Sequence, residues 1–144
     1  MARSPELALP TDSLRIQLQN KAAWNDARSR DLADFFTVGY MQRDIVTFLA
    51  VLVDAGVRTV LDVRHTPVSM YKPDFSKSNL QNHLAIAGID YLHLPRFGVP
   101  NLHSFFNSGD HPVALLCMEL DPTSCHRHRI AMKLESHRLR GFDL

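Results

Sequence analysis

The sequence is poor in the residues and patterns that mark several classes of protein. It has two cysteines in 144 residues, too few for a small protein held together by disulfide bonds. Its formal net charge is only +1, so the chain as a whole offers no strong attraction to nucleic acid or to an acidic membrane. Any basic surface must therefore be local.

Long hydrophobic stretches are also missing. Apolar runs such as 48–53 are far shorter than the roughly 20 residues that a membrane-spanning helix needs. The opening residues, MARSPELALPTDSL, contain no continuous apolar segment of the kind found in secretory signals. We therefore expect a cytoplasmic protein with no membrane partner, in which both cysteines are thiols.

The composition is typical of one globular domain, with 45% hydrophobic and 22% charged residues and no internal repeat. Residues 1–34 are interpreted as a loose tail and an appended helix, which runs from Thr11 to about Leu32. This helix docks either on the core or on a second subunit of a homodimer, and the sequence leaves both open. Residues 35–144 form the main domain.

From Phe35 onward, short apolar runs alternate with helical stretches and glycines. This alternation predicts a single three-layer α/β domain, with a mainly parallel sheet of about four or five strands between layers of helices. The predicted strands are Phe35–Gly39, Val57–Val63, Ile89–Leu94 and Val113–Met118. The predicted helices are Arg43–Ala55, Ser76–Ala87, and Cys125 to about Arg140, with Gly56 and Gly88 placed to end the first two.

That architecture directs attention to the carboxyl ends of the strands. In open α/β sheets ligands bind beyond these ends, where the following helices point their amino termini. The reactive side chains collect in four such places, the segments 39–40, 62–75, 93–98 and 117–127. Tyr40 and His93 are candidate ligand-binding residues for this reason.

Residues 115–129 read LLCMELDPTSCHRHR and hold both cysteines. A helix opening at Cys125 would place free backbone N–H groups and a positive helix end around one pocket, where a thiol is biased toward thiolate. Cys125 is thus a candidate nucleophile, His126 a candidate acid or base, and Arg127 a candidate clamp for phosphate or carboxylate. Glu119, just past the preceding strand, is a third candidate catalytic residue.

Less active roles for these residues are equally consistent with the sequence. A cysteine often packs near a helix start, and Arg127 could simply pair with Glu119 or Asp121. Cys117, at the end of a buried strand, is expected to be protonated and inert. The spacing C-x7-C-H-x-H matches no common zinc framework and is not the C-x-x-C arrangement of redox pairs, so we expect no metal site and no cofactor.

The segment Asp62-Val63-Arg64 places two charged side chains on the same side of an extended chain. Asp62 is expected to hold loop N–H groups, whereas Arg64 lies farther out and is better placed to meet a ligand. Pro67 and Pro73 keep the following loop partly extended, and its Ser69 is a further candidate ligand contact. The basic side chains of 121–140 make nucleic-acid binding a secondary hypothesis.

Four motifs resemble the bacterial and archaeal family known as domain of unknown function 488. They are Thr-Val-Gly-Tyr at 37–40, Asp-Val-Arg at 62–64, Gly-Ile-Asp-Tyr-Leu-His-Leu-Pro at 88–95, and Leu-Leu-Cys-Met-Glu with Cys-His-Arg at 115–127. The family usually has Leu-Gly-Gly and a long insertion after His-Leu-Pro, where this chain has Phe97-Gly98-Val99 and a short loop. The helix before Phe35 is also an addition to the usual pattern.

The resemblance implies an α/β fold and a shared pocket, but it supplies no substrate. The implied pocket residues are Arg64, Ser69, Glu119, Cys125, His126 and Arg127. A weaker likeness to rhodanese and cysteine-phosphatase sites would make Cys117 the nucleophile, although the two acids that follow it would repel an anion. Which thiol is reactive therefore stays open.

Three functions follow as hypotheses. The first is a cysteine-dependent hydrolase or transferase that acts on an anionic small molecule or nucleotide, using Cys125, His126 and Arg127. The second is a noncatalytic module that binds a nucleotide or nucleic acid. In the third, the Cys-His-Arg cluster is a structural latch that fastens the last helix to the sheet.

Overall fold

A computed structural model of the chain describes residues 11–94, 112–124 and 126–144. In chain order the elements are α1 (Thr11–Asp26), β1 (Phe35–Gly39), α2 (Ile45–Asp54), β2 (Thr59–Asp62), a short 3-10 turn (Pro73–Phe75), α3 (Lys77–Ile86), β3 (Asp90–His93), β4 (Val113–Cys117), α4 (His126–Ser136) and β5 (Gly141–Asp143). Within these residues no helix is both long and apolar enough to cross a membrane.

The strands form one sheet in the order β3-β2-β4-β1-β5. All four neighbouring pairs are parallel. The predicted α/β class, with a mainly parallel sheet and an added N-terminal helix, is therefore confirmed. The strand that the sequence did not predict is β5, which pairs with the outer side of β1.

The central strands read as continuous apolar runs because both faces of the sheet are covered. Every residue of β1 (FFTVG) and of β4 (VALLC) is buried. One face packs on α2 and α3, and the other face packs on α4 and on Trp24 of α1. Helices thus lie on both sides of the sheet, as the three-layer prediction requires.

Local signals in the sequence place the ends of α2 and α3. Asp44 caps α2 by accepting a hydrogen bond from the Thr47 amide at 2.7 Å, and this bond lowers the pKa of the Asp44 carboxyl. Gly56 and Gly88 follow the two helices with φ of +74° and +77°, the left-handed conformation that glycine adopts without strain. Both glycines act as predicted.

Two predicted helices are too long. The first ends at Asp26 rather than Leu32, and α4 ends at Ser136 rather than Arg140. Arg138 has φ of +69°, and the Leu139 amide bonds back to the Leu134 carbonyl at 3.2 Å. This turn stops α4 without the usual glycine and leads the chain into β5.

The appended helix α1 docks on its own chain. Asn20 bonds Asp121 at 2.7 Å, Arg28 forms two bonds with Glu135 at 2.8 and 2.7 Å, and Trp24 meets the His128 ring edge-on at 5.3 Å. Asn25 bonds both the main-chain amide and the carbonyl of Asp143, at 2.9 and 2.8 Å. The Asn25 side-chain amide therefore occupies main-chain hydrogen-bonding groups of β5, the strand at the edge of the sheet.

Candidate functional site at the carboxyl edge of the sheet

The parallel strands bring four of the predicted site residues, Tyr40, Arg64, His93 and Glu119, to one edge of the sheet. Hydrogen bonds continue past the strand ends, from the Val63 amide to the Leu116 carbonyl at 3.2 Å and from Met41 to Met118 at 2.9 Å. The segments after β1, β2, β3 and β4 consequently lie side by side. Arg64 and the main-chain acceptors of Arg127 thus lie at this same edge.

Asp62 and Arg64 form a buried ion pair at the end of β2. The Arg64 guanidinium donates from Nε to Asp62 Oδ1 at 2.9 Å and from Nη2 to Oδ2 at 2.7 Å. The Arg64 amide also donates to Oδ1 at 3.1 Å, so Asp62 does hold a loop N–H group as predicted. Tyr91 donates its hydroxyl to Oδ2 at 2.5 Å.

This environment fixes the charge of Arg64. Only 6% of the residue is exposed, and burial alone would lower the pKa of its guanidinium, but the hydrogen bonds and charge of Asp62 raise it above its ordinary value. The remaining terminal nitrogen, Nη1, is buried and has no hydrogen-bond acceptor among the described atoms. A buried donor without an acceptor is unfavourable unless a ligand or water satisfies it.

Tyr40 forms the floor beside Arg64. Its ring stacks on Phe75 with centroids 4.6 Å apart and planes inclined by 11°. The Arg64 guanidinium carbon lies 5.2 Å from the Tyr40 centroid, within the range of a cation–π contact. The Tyr40 residue is 3% exposed, so its ring supports Arg64 from within the core.

His93 closes the edge at the end of β3. Its Nε2 lies 2.8 Å from the main-chain oxygen of Arg64. A carbonyl oxygen can only accept, so this contact requires a proton on Nε2. In the neutral ring Nδ1 then carries the lone pair, the arrangement of an acceptor or general base.

Ser69 holds the loop between β2 and α3 in shape. Its amide donates to Ser76 Oγ at 2.9 Å, and its own Oγ accepts from the Lys72 amide at 3.1 Å. Lys72 reaches across to the Arg43 carbonyl at 2.7 Å. Ser69 thus orders the loop beside Arg64, and its direct contact with a ligand stays a prediction.

Arg127 is buried beneath the end of β4. It is 0% exposed and donates from Nη1 to the main-chain oxygen of Glu119 at 2.5 Å and from Nη2 to that of Leu120 at 3.1 Å. Its Nη2 also lies 3.4 Å from Oδ1 of Asp143. These contacts tie the first turn of α4 to the loop after β4, and a ligand contact by Arg127 stays a prediction.

The sequence analysis missed the buried carboxylate of Asp143. Its Oδ1 accepts the Thr37 hydroxyl at 2.6 Å, and its Oδ2 accepts the ammonium of Lys21. Arg43 lies near this cluster and donates to the Gly39 carbonyl at 3.1 Å. Arg43 could have been found because it follows a strand end, but nothing in the sequence links Lys21 to Asp143.

The structure describes one of the two cysteines, together with neighbours of both. Cys117 is buried, 7% exposed, as predicted for the end of a central strand. Cys125 lies outside the described residues, and His126 is the first residue of α4. Glu119 is half-buried two residues beyond β4. The helix start required by the Cys-His-Arg hypothesis is therefore present.

The loop that leads to Cys125 is fixed by Asp121. This carboxylate accepts from the amide and hydroxyl of Thr123 at 2.9 and 2.6 Å, and from Asn20 at 2.7 Å. Burial would raise the pKa of Asp121, but these hydrogen bonds outweigh it and lower the pKa below its ordinary value. The carboxylate is therefore used inside the protein rather than facing a ligand.

A protein-family model agrees with the motif resemblance. The family described as domain of unknown function DUF488 matches residues 44–107. Over these residues the chain is similar to the DUF488 family, in agreement with the resemblance of its motifs. The DUF488 match contains Arg64, Ser69 and His93, and it ends before β4 and α4. No curated protein and no solved structure matches the chain.

Within residues 11–94, 112–124 and 126–144, no group of three His, Cys, Asp or Glu side chains is arranged to hold an ion.

Proposed function

We propose that this DUF488 protein is an enzyme that acts on an anionic small molecule or nucleotide at the carboxyl edge of its sheet. The observation that carries the proposal is the buried Nη1 of Arg64, which lacks an acceptor. The sequence adds Cys125 and His126 at the start of α4 as the reacting groups. Arg64 is then the anion-binding residue.

The ion pair with Asp62 prepares Arg64 for this role. It occupies Nε and Nη2 and so fixes the plane of the guanidinium before any ligand arrives. Nη1 is left without an acceptor, and this orphaned donor costs about 1–3 kcal/mol until an acceptor reaches it. A phosphoryl or carboxylate oxygen is the strongest acceptor available, because a charged partner shortens and strengthens the bond.

The proposed reaction is a nucleophilic displacement. The Cys125 thiolate, favoured by the helix start, attacks the electrophilic carbon or phosphorus of the bound molecule and forms a covalent bond to it. The bond to the leaving group breaks, and that group takes a proton from His126. Water, or a second acceptor, then displaces the thiolate, which gives a hydrolase or a transferase.

Glu119 and His93 have supporting parts in the same proposal. Glu119 is half-buried next to the loop that leads to Cys125 and accepts the proton of the incoming water. His93 binds a hydroxyl or N–H group of the substrate through Nδ1, because Nε2 is engaged by the Arg64 carbonyl. Ser69 and Tyr40 hold Arg64 and its loop in place.

The test is the alkylation rate of each cysteine with iodoacetamide as a function of pH, read by mass spectrometry. Cys125 should react faster than Cys117 and at lower pH than an ordinary thiol, and adenosine monophosphate should protect it. In Arg64→Met this protection should disappear. Arg58→Met is the matched control, because Arg58 is exposed at the other end of the same strand.

Slow and equal labelling of both cysteines, without protection by the nucleotide, would contradict the enzyme proposal. If the nucleotide still protects Cys125 in Arg64→Met, Arg64 is not the residue that binds the anion. Cys117→Ser serves as a second control, since a buried thiol that takes no part in chemistry should leave the rate at Cys125 unchanged.

A second candidate function is binding of nucleic acid without catalysis. The observation in its favour is that Arg129, Lys133 and Arg138 are all exposed on or after α4. Such binding would weaken steeply with salt and would be lost on replacing these three residues together. If nucleotide affinity is unchanged when these three residues are replaced but is lost in Arg64→Met, the enzyme proposal is favoured.

A further inference from the structure

We infer that Val68, Met70 and Tyr71 form a platform for an aromatic base beside Arg64, so that the anionic substrate is a nucleotide. These three side chains are named the loop platform. The inference rests on the proposed function, because it takes Arg64 as the residue that binds the phosphoryl group. The base is the part of the substrate that it assigns, and variants of Tyr71 test that assignment separately from Arg64.

The loop platform is an exposed apolar surface. Val68 is 61% exposed, Met70 is 88% exposed and Tyr71 is 93% exposed. The one polar residue among them, Ser69, is half-buried. Apolar side chains that stand together in water mark places where a ligand or another molecule binds. Because so little of Tyr71 is covered, its ring is free to stack on such a ligand.

Hydrogen bonds hold the backbone of this loop although its apolar side chains are exposed. The Ser69 amide donates to Ser76 Oγ at 2.9 Å, and the Lys72 amide donates to Ser69 Oγ at 3.1 Å. The Lys77 amide donates to the Pro67 carbonyl at 2.8 Å and so joins the start of the loop to its end. The loop platform is therefore fixed before a ligand arrives, and binding requires little further ordering.

The loop platform lies at the same edge of the sheet as Arg64. Lys72, which follows Tyr71 in the chain, donates its ammonium to the Arg43 carbonyl at 2.7 Å. The Arg43 amide in turn donates to the Tyr40 carbonyl at 3.0 Å. The Tyr40 ring supports the Arg64 guanidinium, whose carbon lies 5.2 Å from the ring centroid. The loop thus leaves the sheet at Arg64 and is fastened again, through Lys72, to the segment that carries Tyr40.

Two cationic side chains at this edge keep donors for an anion. Nη1 of Arg64 is buried without an acceptor among the described atoms. The Lys72 ammonium donates to a carbonyl and forms no ion pair with a residue of the described ranges. The carboxylate of Asp44 feels the charge of Lys72 but is engaged as the cap of α2. An apolar surface and cationic donors therefore meet at one place.

An aromatic base joined to a phosphate matches both parts of this surface. Every nucleobase has a π-face that can stack on the Tyr71 ring, and the thioether of Met70 makes favourable contacts with aromatic rings. The phosphoryl oxygens accept from Nη1 of Arg64, and the charge of Lys72 attracts the same group. A sugar phosphate without a base would use the cationic part alone.

A single nucleotide fits this surface better than a strand of nucleic acid. Among the residues whose side chains the structure describes, Tyr71 is the only exposed aromatic one. Proteins that bind single strands stack successive bases on several aromatic rings. Arg64 is 6% exposed, and a terminal phosphate reaches such a donor more easily than a phosphodiester between two sugars. The ligand class is therefore a mononucleotide.

Titration calorimetry with adenosine monophosphate and with ribose 5-phosphate tests the inference, because the two ligands share the phosphoryl group and differ in the base. Adenosine monophosphate should bind the wild-type protein roughly tenfold more tightly, the gain expected from stacking one base. Tyr71→Ala should remove this difference and leave the affinity for ribose 5-phosphate unchanged. Tyr71→Phe keeps the ring and should keep the difference.

An exposed apolar side chain elsewhere gives the matched control. Ile86 is 87% exposed on α3, so Ile86→Ala removes a comparable surface and should leave both affinities unchanged. Met70→Ala should weaken adenosine monophosphate binding by about twofold to tenfold, the range of a contact between sulfur and an aromatic ring. Met70 and Tyr71 are both exposed, so neither variant should unfold the protein.

Arg64→Met separates this inference from the proposed function. It should weaken the binding of both ligands alike, whereas Tyr71→Ala weakens the binding of adenosine monophosphate only. If Tyr71→Ala acts as expected but Arg64→Met changes neither affinity, the loop platform is supported and the anion-binding role of Arg64 is wrong.

Several results would overturn the loop platform. Equal affinity of the wild-type protein for the two ligands would show that the base is not bound. An affinity for adenosine monophosphate that is the same in Tyr71→Ala and in the wild type would place the base elsewhere. Equal weakening of both ligands in Tyr71→Ala would mean that Tyr71 acts only on the structure of the loop. Binding of a single-stranded adenine oligonucleotide through Tyr71, without binding of the mononucleotide, would assign the surface to nucleic acid.

Discussion

Gly39 lies so close to the main-chain oxygen of Glu119 that a Cβ on residue 39 would stand 1.8 Å from that oxygen. The same Cβ would stand 2.9 Å from Nη1 of Arg127. The glycine at the end of β1 is therefore what allows Arg127 to reach across to the loop after β4. Packing at this point links the ends of both central strands to α4.

Gly39→Ala should consequently destabilise the fold by about 3 kcal/mol or more, because the clash is with backbone that cannot turn away. Urea unfolding followed by circular dichroism measures the change. Gly56→Ala is the control, since its Cβ would meet nothing within 4 Å and only the strain of φ at +74° remains. That strain should cost about 1–2 kcal/mol. Equal losses in the two variants would mean that the close approach at Gly39 is not maintained.

Tyr91 should make the stability of the protein fall at high pH. Burial raises the pKa of its hydroxyl, as does the hydrogen bond to Asp62, whereas an unfolded tyrosine titrates near pH 10. Because the folded state holds the proton more tightly, this stabilisation is complete below about pH 10 and is lost as the pH rises above it.

Tyr91→Phe removes the titrating group, so its deficit in unfolding free energy should shrink as the pH increases beyond about 10. Chemical unfolding at a series of alkaline pH values checks this. Tyr71→Phe is a matched control, because Tyr71 is 93% exposed. A constant difference between wild type and Tyr91→Phe across the series would show that the hydroxyl does not hold its proton in the fold.

Asp121 should make the stability of the protein fall at low pH. Its folded pKa lies below the ordinary value of 3.8, so its contribution is present above about pH 4 and is lost as the pH falls below that. Asn20→Ala removes one of the bonds responsible, at 2.7 Å. The variant should be less stable than wild type at neutral pH, and the gap should narrow under acid.

The neighbouring exposed residue gives the control for that experiment. Gln19→Ala changes α1 on its solvent side and should not alter the acid dependence. The measurement is the unfolding free energy from pH 3 to pH 7. An unchanged slope in Asn20→Ala would assign the low pKa of Asp121 to Thr123 and Arg127 instead.

Arg138→Gly should stabilise the protein. Arg138 is exposed and has φ of +69° at the turn that ends α4, a position where glycine avoids the steric strain. We expect a gain of about 0.5–1 kcal/mol, seen as a higher melting temperature. The same change inside the helix, Arg129→Gly, should instead lose about 1 kcal/mol. If both variants are less stable than the wild type, the Arg138 side chain stabilises the fold by more than the strain of its positive φ destabilises it.

The sequence predicted the sheet well because its signals were local. β1 was predicted with its observed bounds, and the glycines after α2 and α3 ended those helices as expected. The additional strand β5 was not predicted because it is three residues long and Phe142 is its only large apolar residue. The ends of α1 and α4 were misplaced because no glycine or proline marks them.

The candidate site was predictable only where it follows from the rule that the carboxyl ends of parallel strands meet at one edge of the sheet. Strand ends brought Tyr40, Arg64 and His93 to one edge, as parallel pairing requires. The pairing of Lys21 with Asp143 joins residues 122 positions apart, and no periodicity or motif encodes such a contact. The bonds from Arg127 to two main-chain oxygens were also not predictable, because they depend on the path of the loop after β4.

The strand order has a consequence for how this protein is made. β1 has every residue buried, yet both of its partners come late in the chain, β4 at Val113–Cys117 and β5 at Gly141–Asp143. A ribosome releases β1 long before either neighbour, and contacts between distant residues form slowly. The nascent polypeptide must therefore carry β1 without either neighbouring strand until residues 113–117 have been made.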